Sequence, residues 1–294
     1  MSGRGPGADV GGAGPGPRRE ALWRLVGTPS TAPALGVLAL LVLAALAAPM
    51  VSPYDPLEQN MSDFLVGPGP RHWFGTDQFG RDILSRVVWG GRLTLQVGAI
   101  AVGISGAIGV PLGLTAGFYG RWADFVIMRA IDLLLAFPSI LLALGVVAIL
   151  GGSLPNVMIA VGIAGVPQFT RLVRAAVLSV RALPYVEAAR GMGCPDRLIL
   201  WRHVLPNVVA PALVLATTSA AGAIITGAAL SFLGLGARPP APEWGAMLST
   251  GREYLRHAPW MSVFPGLTIM LAVIAINVIG DRLRDVLDPR LRFD

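Results

Sequence analysis

Long uncharged apolar runs, separated by polar or glycine- and proline-rich connections, set the pattern of this chain. Five runs, residues 31–51, 93–117, 154–170, 208–236 and 261–280, contain no Asp, Glu or Arg. A sixth, about 124–150, carries Asp124, Arg129 and Asp132 near its start. Each approaches the roughly 20 residues that an α-helix needs to cross a bilayer. The apolar positions are continuous rather than alternating, and Gly and Pro within them are tolerated where neighbouring helices compensate, which predicts helices rather than strands. The expected fold is all-α, a polytopic membrane protein of six transmembrane helices.

Composition agrees. The 294 residues are 54% hydrophobic and 14% charged, where soluble domains carry about 25% charged residues. All 23 cationic side chains are Arg, with no Lys. The net charge of +6 is read as a mark of orientation in so apolar a chain, and no nucleic-acid partner is expected. Arg4, Arg18, Arg19 and Arg24, Arg121, six Arg in 171–202, and Arg282, Arg284, Arg290 and Arg292 make fifteen on one side; Arg71, Arg81, Arg86, Arg92, Arg238, Arg252 and Arg256 make seven on the other. The positive-inside rule places both termini, and the connection at 187–207, in the cytoplasm.

The first 20 residues hold seven Gly and three Pro, so residues 1–25 read as a disordered cytoplasmic tail. "AALAAP" offers small residues of the kind found at signal-peptide cleavage sites. The long apolar run and the spans that follow favour an uncleaved first helix. Residues 26–92 are then the first transmembrane helix with an extracytoplasmic segment, and residues 93–290 the core.

The stretch "EAARGMGCPDRLILWRHVLPN", 187–207, is elaborate for an inter-span connection. Pro184 suits the opening of a short helix that Gly191 and Gly193 end. Cys194 at the N-cap, Pro195 and Asp196 then suit a second helix, stopped by Pro206. On it Leu198, Trp201 and Leu205 make an apolar face, with Arg197 and Arg202 free to reach water or a partner. On the first, Ala188, Ala189 and Gly191 keep the surface thin enough for another backbone to approach. A docking surface and an amphipathic helix on the inner leaflet both fit these residues.

On the outer side, "FGTDQFGRDILSRVVWGG" reads as a turn at Gly75, a cap at Thr76 or Asp77, and a short helix with Phe79, Ile83 and Val87 on one face. His72 has no metal partner at a recognisable spacing. Pro239, Pro240 and Pro242 suit an extended loop leading to Trp244 at a membrane interface. Asn60-Met61-Ser62 is a formal glycosylation sequon of little weight here.

Three activity classes are separable. An ion-coupled secondary transporter places ionisable groups at mid-membrane, and five of the runs have none; Asp124, Arg129 and Asp132 read as a local ion pair or interface contact. A P-loop needs a Lys, which this chain lacks, so any ATP-driven reading requires a separate ATPase. A membrane enzyme needs convergent polar groups, yet His72, His203 and His257 are scattered and Cys194 is the lone thiol.

"EAARGMG" followed by Leu205-Pro206 resembles the EAA signature of ABC-importer permeases, through Glu187, Ala188, Ala189, Gly193, Leu205 and Pro206. His203 stands where Ile is common in that family, and Cys194 where Ser is. "HWFGTDQFGRDILSRVVWGGRLTL", "LSFLGLGARPPAPEWGAML", "IGDRLRDVLDPRL" and "SPYDP" are similar to the dipeptide/oligopeptide/nickel importer branch, in its C-type subunit, from about residue 31 to the C-terminus. The resemblance implies a non-catalytic subunit of the bacterial inner membrane with a cytoplasmic coupling helix at 187–206. Glu187, Ala188, Ala189, Gly193, Arg197, Leu205 and Pro206 would meet the ATPase. It implies as partners a second homologous permease subunit, one or two ATP-binding subunits that hold ATP and Mg, the lipid bilayer and an extracytoplasmic substrate-binding protein. Asp77, Arg81, Asp82 and Trp244 would face that binding protein. No cofactor is expected in this chain. It further implies import of peptides or related small solutes.

Overall fold

The computed structural model describes residues 30–287; the tail read at 1–25 and Arg290 and Arg292 lie outside them. The described residues form eleven helices and two 3₁₀ turns, with no strand. In chain order these are α1 (Thr31–Leu46), α2 (Ala48–Val51), α3 (Ile83–Tyr119), α4 (Arg121–Leu135), α5 (Ser139–Leu150), α6 (Leu154–Arg181), α7 (Pro184–Gly191), α8 (Asp196–Ile199), α9 (Leu205–Phe232), α10 (Trp244–Gly251) and α11 (Trp260–Leu287). The 3₁₀ turns are Met61–Asp63 and Arg252–Tyr254.

Four helical runs are long and apolar enough to cross a bilayer: α3, α6, the continuous stretch Asp196–Phe232, and α11. The run expected as one span over 124–150 is α4 and α5, bent by 91°. The bend falls at Phe137-Pro138, because proline removes an N–H and disfavours the helical conformation of the residue before it. Counted as one broken span, the pair makes five.

The expected span 31–51 is also interrupted. α1 ends at Leu46 and α2 restarts at Ala48 with Pro49 in its first turn. The break exposes carbonyls, and the Arg92 guanidinium takes them: Nε donates to Ala45 O at 2.5 Å and Nη2 to Leu46 O at 2.6 Å.

α3 and α6 form the central pair. Gly109, Gly113 and Gly117 recur every fourth residue on α3 and face α6, and the Cβ that an L-residue would add meets Phe169 at 2.5 Å, the Thr170 carbonyl at 2.6 Å and Val177 at 2.8 Å in turn. Small residues let two membrane helices approach until their backbones touch. Here they bring α3 and α6 into close contact over about two turns. The Asp124, Arg129 and Asp132 group falls where an ion pair was expected, with partners from α6: Arg174 binds Asp124 through both carboxylate oxygens, and Arg171 lies 2.6 Å from Asp132. Arg129 instead lies over the Phe125 ring.

Gly113→Val should lower the melting temperature of the detergent-solubilised protein by the equivalent of about 1–3 kcal/mol, the usual cost of overpacking. Gly103→Val is the control, since an added Cβ there meets nothing within 4 Å; equal melting of the two variants would count against the close α3–α6 contact.

Candidate functional site

The 187–207 elbow is built as two short helices, as its residues suggest, but the joint differs in detail. α7 opens with Pro184 in its first turn and ends at Gly191. Gly193 N–H donates to Arg190 O at 3.0 Å and Cys194 N–H to Ala189 O at 3.1 Å, with Gly193 at φ +81°. This pair of bonds is the Schellman closure, which needs a left-handed residue at the position Gly193 holds. Cys194 is therefore the residue that locks the end of the first helix, packed against the core beside Ala189. The second helix starts one residue later, with Pro195 at its N-cap, so the expected Cys194 cap is corrected. The exposed Arg190 and Asp196 lie 3.6 Å apart across the joint.

Pro206 does not stop the second helix. α8 passes through a π-turn, Leu200–Val204, directly into α9, and Leu205 N–H bonds back five residues to Leu200 O. A π-turn widens the helix and relieves the clash that proline makes with the carbonyl four residues before it. It also shifts the apolar face. The inward residues are Ile199, Val204 and Val208, at spacings of five and four, joined by Val186 and Ala189 of α7. Leu198 and Trp201, expected on that face, point outward with Met192, at 43%, 61% and 77% exposure. Glu187, Ala188, Gly193, Arg197 and Pro206 are exposed, Leu205 is half-buried and Ala189 is buried, so Ala189 anchors the elbow and does not thin its outer surface.

The inward face docks on Phe118 of α3 and on Val173, Val177 and Val180 of α6. Above it, Arg181 Nη1 donates to Gly117 O at 3.2 Å and Phe118 O at 2.9 Å, satisfying the terminal carbonyls of α3 with a cation where the helix dipole favours one. The elbow is thereby clamped to the ends of the central helix pair.

At the opposite end, residues 52–82 and the 237–258 region form a folded cap. Asp77 accepts from the backbone N–H groups of Phe79 and Arg81 and from Arg81 Nε at 2.7 Å. Asp82 caps α3, accepting from Ser85 N–H and Oγ, and lies 3.0 Å from His72 Nδ1. Gly80, at φ +68°, allows Asn60 to pack where a side chain would collide with it. The helix thus begins at Ile83, and Phe79 lies in the turn before it, which corrects the expected short helix from Thr76 or Asp77. Arg86 Nη1 reaches Pro56 O at 2.9 Å and Pro240 O at 3.3 Å, tying the two loops together.

Asp77, Arg81, Asp82 and Trp244 are all buried, so their side chains hold the cap's shape and present no surface to a partner. Trp244, at 1% exposure, is not at a membrane interface; its Nε1 donates to Val87 O at 2.8 Å, with its ring packed over Gly90. The signal for this burial was the Gly90-Gly91 pair, which leaves room for an indole. Sequence reasoning also missed Glu243, the cap of α10, whose carboxylate accepts from Gly245 and Ala246 N–H and from Thr94 Oγ1. Burial pushes this carboxyl above the usual range, against the downward pull of those donors. Among the described residues no group of three metal-ligating side chains converges.

Two outcomes follow. Gly193→Ala should destabilise the elbow by about 1 kcal/mol through backbone strain alone, because an added Cβ there meets nothing within 4 Å. Gly193→Asn should recover part of that loss, read by amide hydrogen exchange over 187–207. For Glu243, a raised native pKa means that its contribution is present below the ordinary glutamate pKa of about 4.3 and is lost as pH rises through the folded value. Melting of Glu243→Gln should therefore gain on wild type as pH rises through that window, and a constant difference would refute the burial effect.

The family described as "Binding-protein-dependent transport system inner membrane component" matches residues 109–293, and "N-terminal TM domain of oligopeptide transport permease C" matches residues 16–68. The dipeptide transport system permease protein of Alkalihalophilus pseudofirmus is 49% identical over 276 residues, 94% of this chain and 91% of the relative. The glutathione transport system permease protein of Pectobacterium atrosepticum is 47% identical over 94% of this chain and 92% of its own. The di/tripeptide transport system permease protein of Pseudomonas aeruginosa is 49% identical over 86% of each chain. A structure of the MetNI methionine ABC transporter in an inward-facing conformation shares the fold, with a TM-score of 0.55 at 22% identity over 69% of this chain and 97% of that one.

Proposed function

This chain belongs to the binding-protein-dependent transport system inner-membrane family, as a non-catalytic permease subunit of an ABC importer, and from that premise we propose how it works. Membership sets aside the ion-coupled alternative. ATP hydrolysis lies in partner subunits of such importers.

In our reading α1 with α2 forms one span and α4 with α5 another, giving six with both termini cytoplasmic. The tail occupies residues 1–25, the first span and outer segment 26–92, and the permease core 93–290. The elbow at 187–206 is the coupling segment, with Glu187, Ala188, Gly193, Arg197, Leu205 and Pro206 forming or shaping the surface that meets an ATPase subunit and Ala189 anchoring it from behind. The observation that carries this is the pairing of an exposed apolar edge, Met192, Leu198 and Trp201, with an opposite face locked onto α3 and α6. An element free on one side and fixed on the other transmits a push. ATP binding that draws two ATPase subunits together would move the elbow, and the clamp at Arg181 would carry that movement into the central helix pair. The solute is a di- or oligopeptide or a related small molecule, in keeping with the relatives' dipeptide, di/tripeptide and glutathione systems. It is delivered by an extracytoplasmic binding protein to the outer cap that Asp77, Arg81, Asp82 and Trp244 hold together, and it passes between this chain and a second homologous permease. One or two ATP-binding chains complete the assembly.

Trp201→Ala and Glu187→Arg should each weaken co-purification of the ATPase subunits, by about 2 kcal/mol for a tryptophan anchor, while the chain still inserts in the membrane. Normal coupling in Glu187→Arg would overturn the docking surface. Uptake should stop on ATP withdrawal and persist when ion gradients are collapsed.

A further inference from the structure

Three of the expected spans meet at their midpoints around an open polar cleft. Runs 93–117, 154–170 and 208–236 centre on residues 105, 162 and 222, and Ser105, Val161 and Gly222 line one recess of about 330 Å³ between α3, α6 and α9. Its polar lining is Ser105, Ser139, Gln168, Thr218, Ser219 and Thr226, with no charged side chain. Ser105 is already engaged, its hydroxyl lying 2.9 Å from Ala101 O and 2.7 Å from Gly162 O. Ser219 Oγ is enclosed without a hydrogen-bond partner, and Ser139 and Gln168 stand exposed. Lipid tails offer neither donor nor acceptor, so amide and hydroxyl groups at this depth need water, a solute or another protein. A second recess, of about 710 Å³, starts at the same Thr218, runs between α6, α9 and α11, and opens beside Asp281 and Arg284. Thr218 borders both recesses, which follow one another along α9.

We propose that this cleft is the chain's solute-contacting wall, with Gln168 and Thr226 touching the transported molecule; this rests on the permease reading above. The chemistry fits the backbone of a short peptide. Each peptide unit carries one N–H donor and one carbonyl acceptor, and hydroxyls and a carboxamide supply both complements. A lining without charge binds those repeating groups and does not sort peptides by side-chain charge, which leaves that selection to the delivering protein.

The test uses the complete transporter in proteoliposomes on a Cys194→Ser background. Thr226→Cys should react with a charged methanethiosulfonate reagent about tenfold faster than Ile225→Cys, since accessible thiols react and lipid-covered ones do not. Ile225 is exposed on the same helix outside the cleft lining. This readout needs no substrate, so it stands apart from the substrate class. Equal rates would overturn the aqueous cleft. Gly222→Leu fills the recess without a clash at its first atom, because an added Cβ there meets nothing within 4 Å, and it should cut trialanine uptake by about tenfold. Gln168→Glu should favour cationic over anionic tripeptides by about fivefold through the new charge. Fast labelling with unchanged uptake in both variants would overturn the solute contact. Absence of trialanine uptake by the unmodified transporter, with the labelling pattern intact, would strike the peptide reading and leave the aqueous wall supported.

Discussion

Backbone groups freed where helices break in or beside a bilayer need partners, and this chain breaks its helices repeatedly. Its helices break at Ala47, Gly120, Pro138 and Gly151–Gly152, and at three of these four breaks side-chain donors meet freed carbonyls. Arg92 takes Ala45 and Leu46, Arg181 takes Gly117 and Phe118, Arg238 takes Gly152, and Asn156 takes Leu150 and Gly151. A guanidinium is suited to this because its donors form a planar fork and it stays charged when buried. The all-arginine complement is thus part of what allows so interrupted a set of helices to hold one arrangement.

The same logic joins the elbow to the bundle. Arg181 grips the end of α3 while Val173, Val177 and Val180 on its own helix receive Val186, Ile199 and Val204. The α3–α6 pair approaches closely, since an added methyl group at Gly109, Gly113 or Gly117 would collide with the neighbouring helix. The elbow is therefore seated on both helices of the pair, with the polar cleft beside Ser105 and Gly222 further along them.

Much of this was legible beforehand. Uninterrupted apolar runs gave the all-helical class because hydrophobic continuity over a bilayer's thickness has few other meanings, and Pro184, Gly191 and Gly193 marked a two-helix elbow through local backbone preference. What stayed hidden depends on tertiary partners. Trp244 looked like an interfacial aromatic because nothing local says that Gly90 and Gly91, far away in sequence, leave a slot for its ring. Asp77, Arg81 and Asp82 looked like surface charges because their pairing with backbone N–H groups, Arg81 and His72 exists only once the cap is folded. Pro206 was read as a stop by a rule that assumes α geometry on both sides. The bend at Pro138 was a proline signal present in the sequence but outweighed by the apolar run around it.

The π-turn at Leu200–Val204 has a geometric consequence of its own. With 3.6 residues per α-helical turn, each residue advances the helix by about 100°, so one surplus residue acts as a phase offset between α8 and α9. That offset lets Ile199 and Val208 face the same interior while Trp201 looks out. The direction in which the elbow's edge points is therefore encoded in a residue count, independent of which side chains the edge displays. A single insertion or deletion in that turn would swing the whole surface to a different bearing.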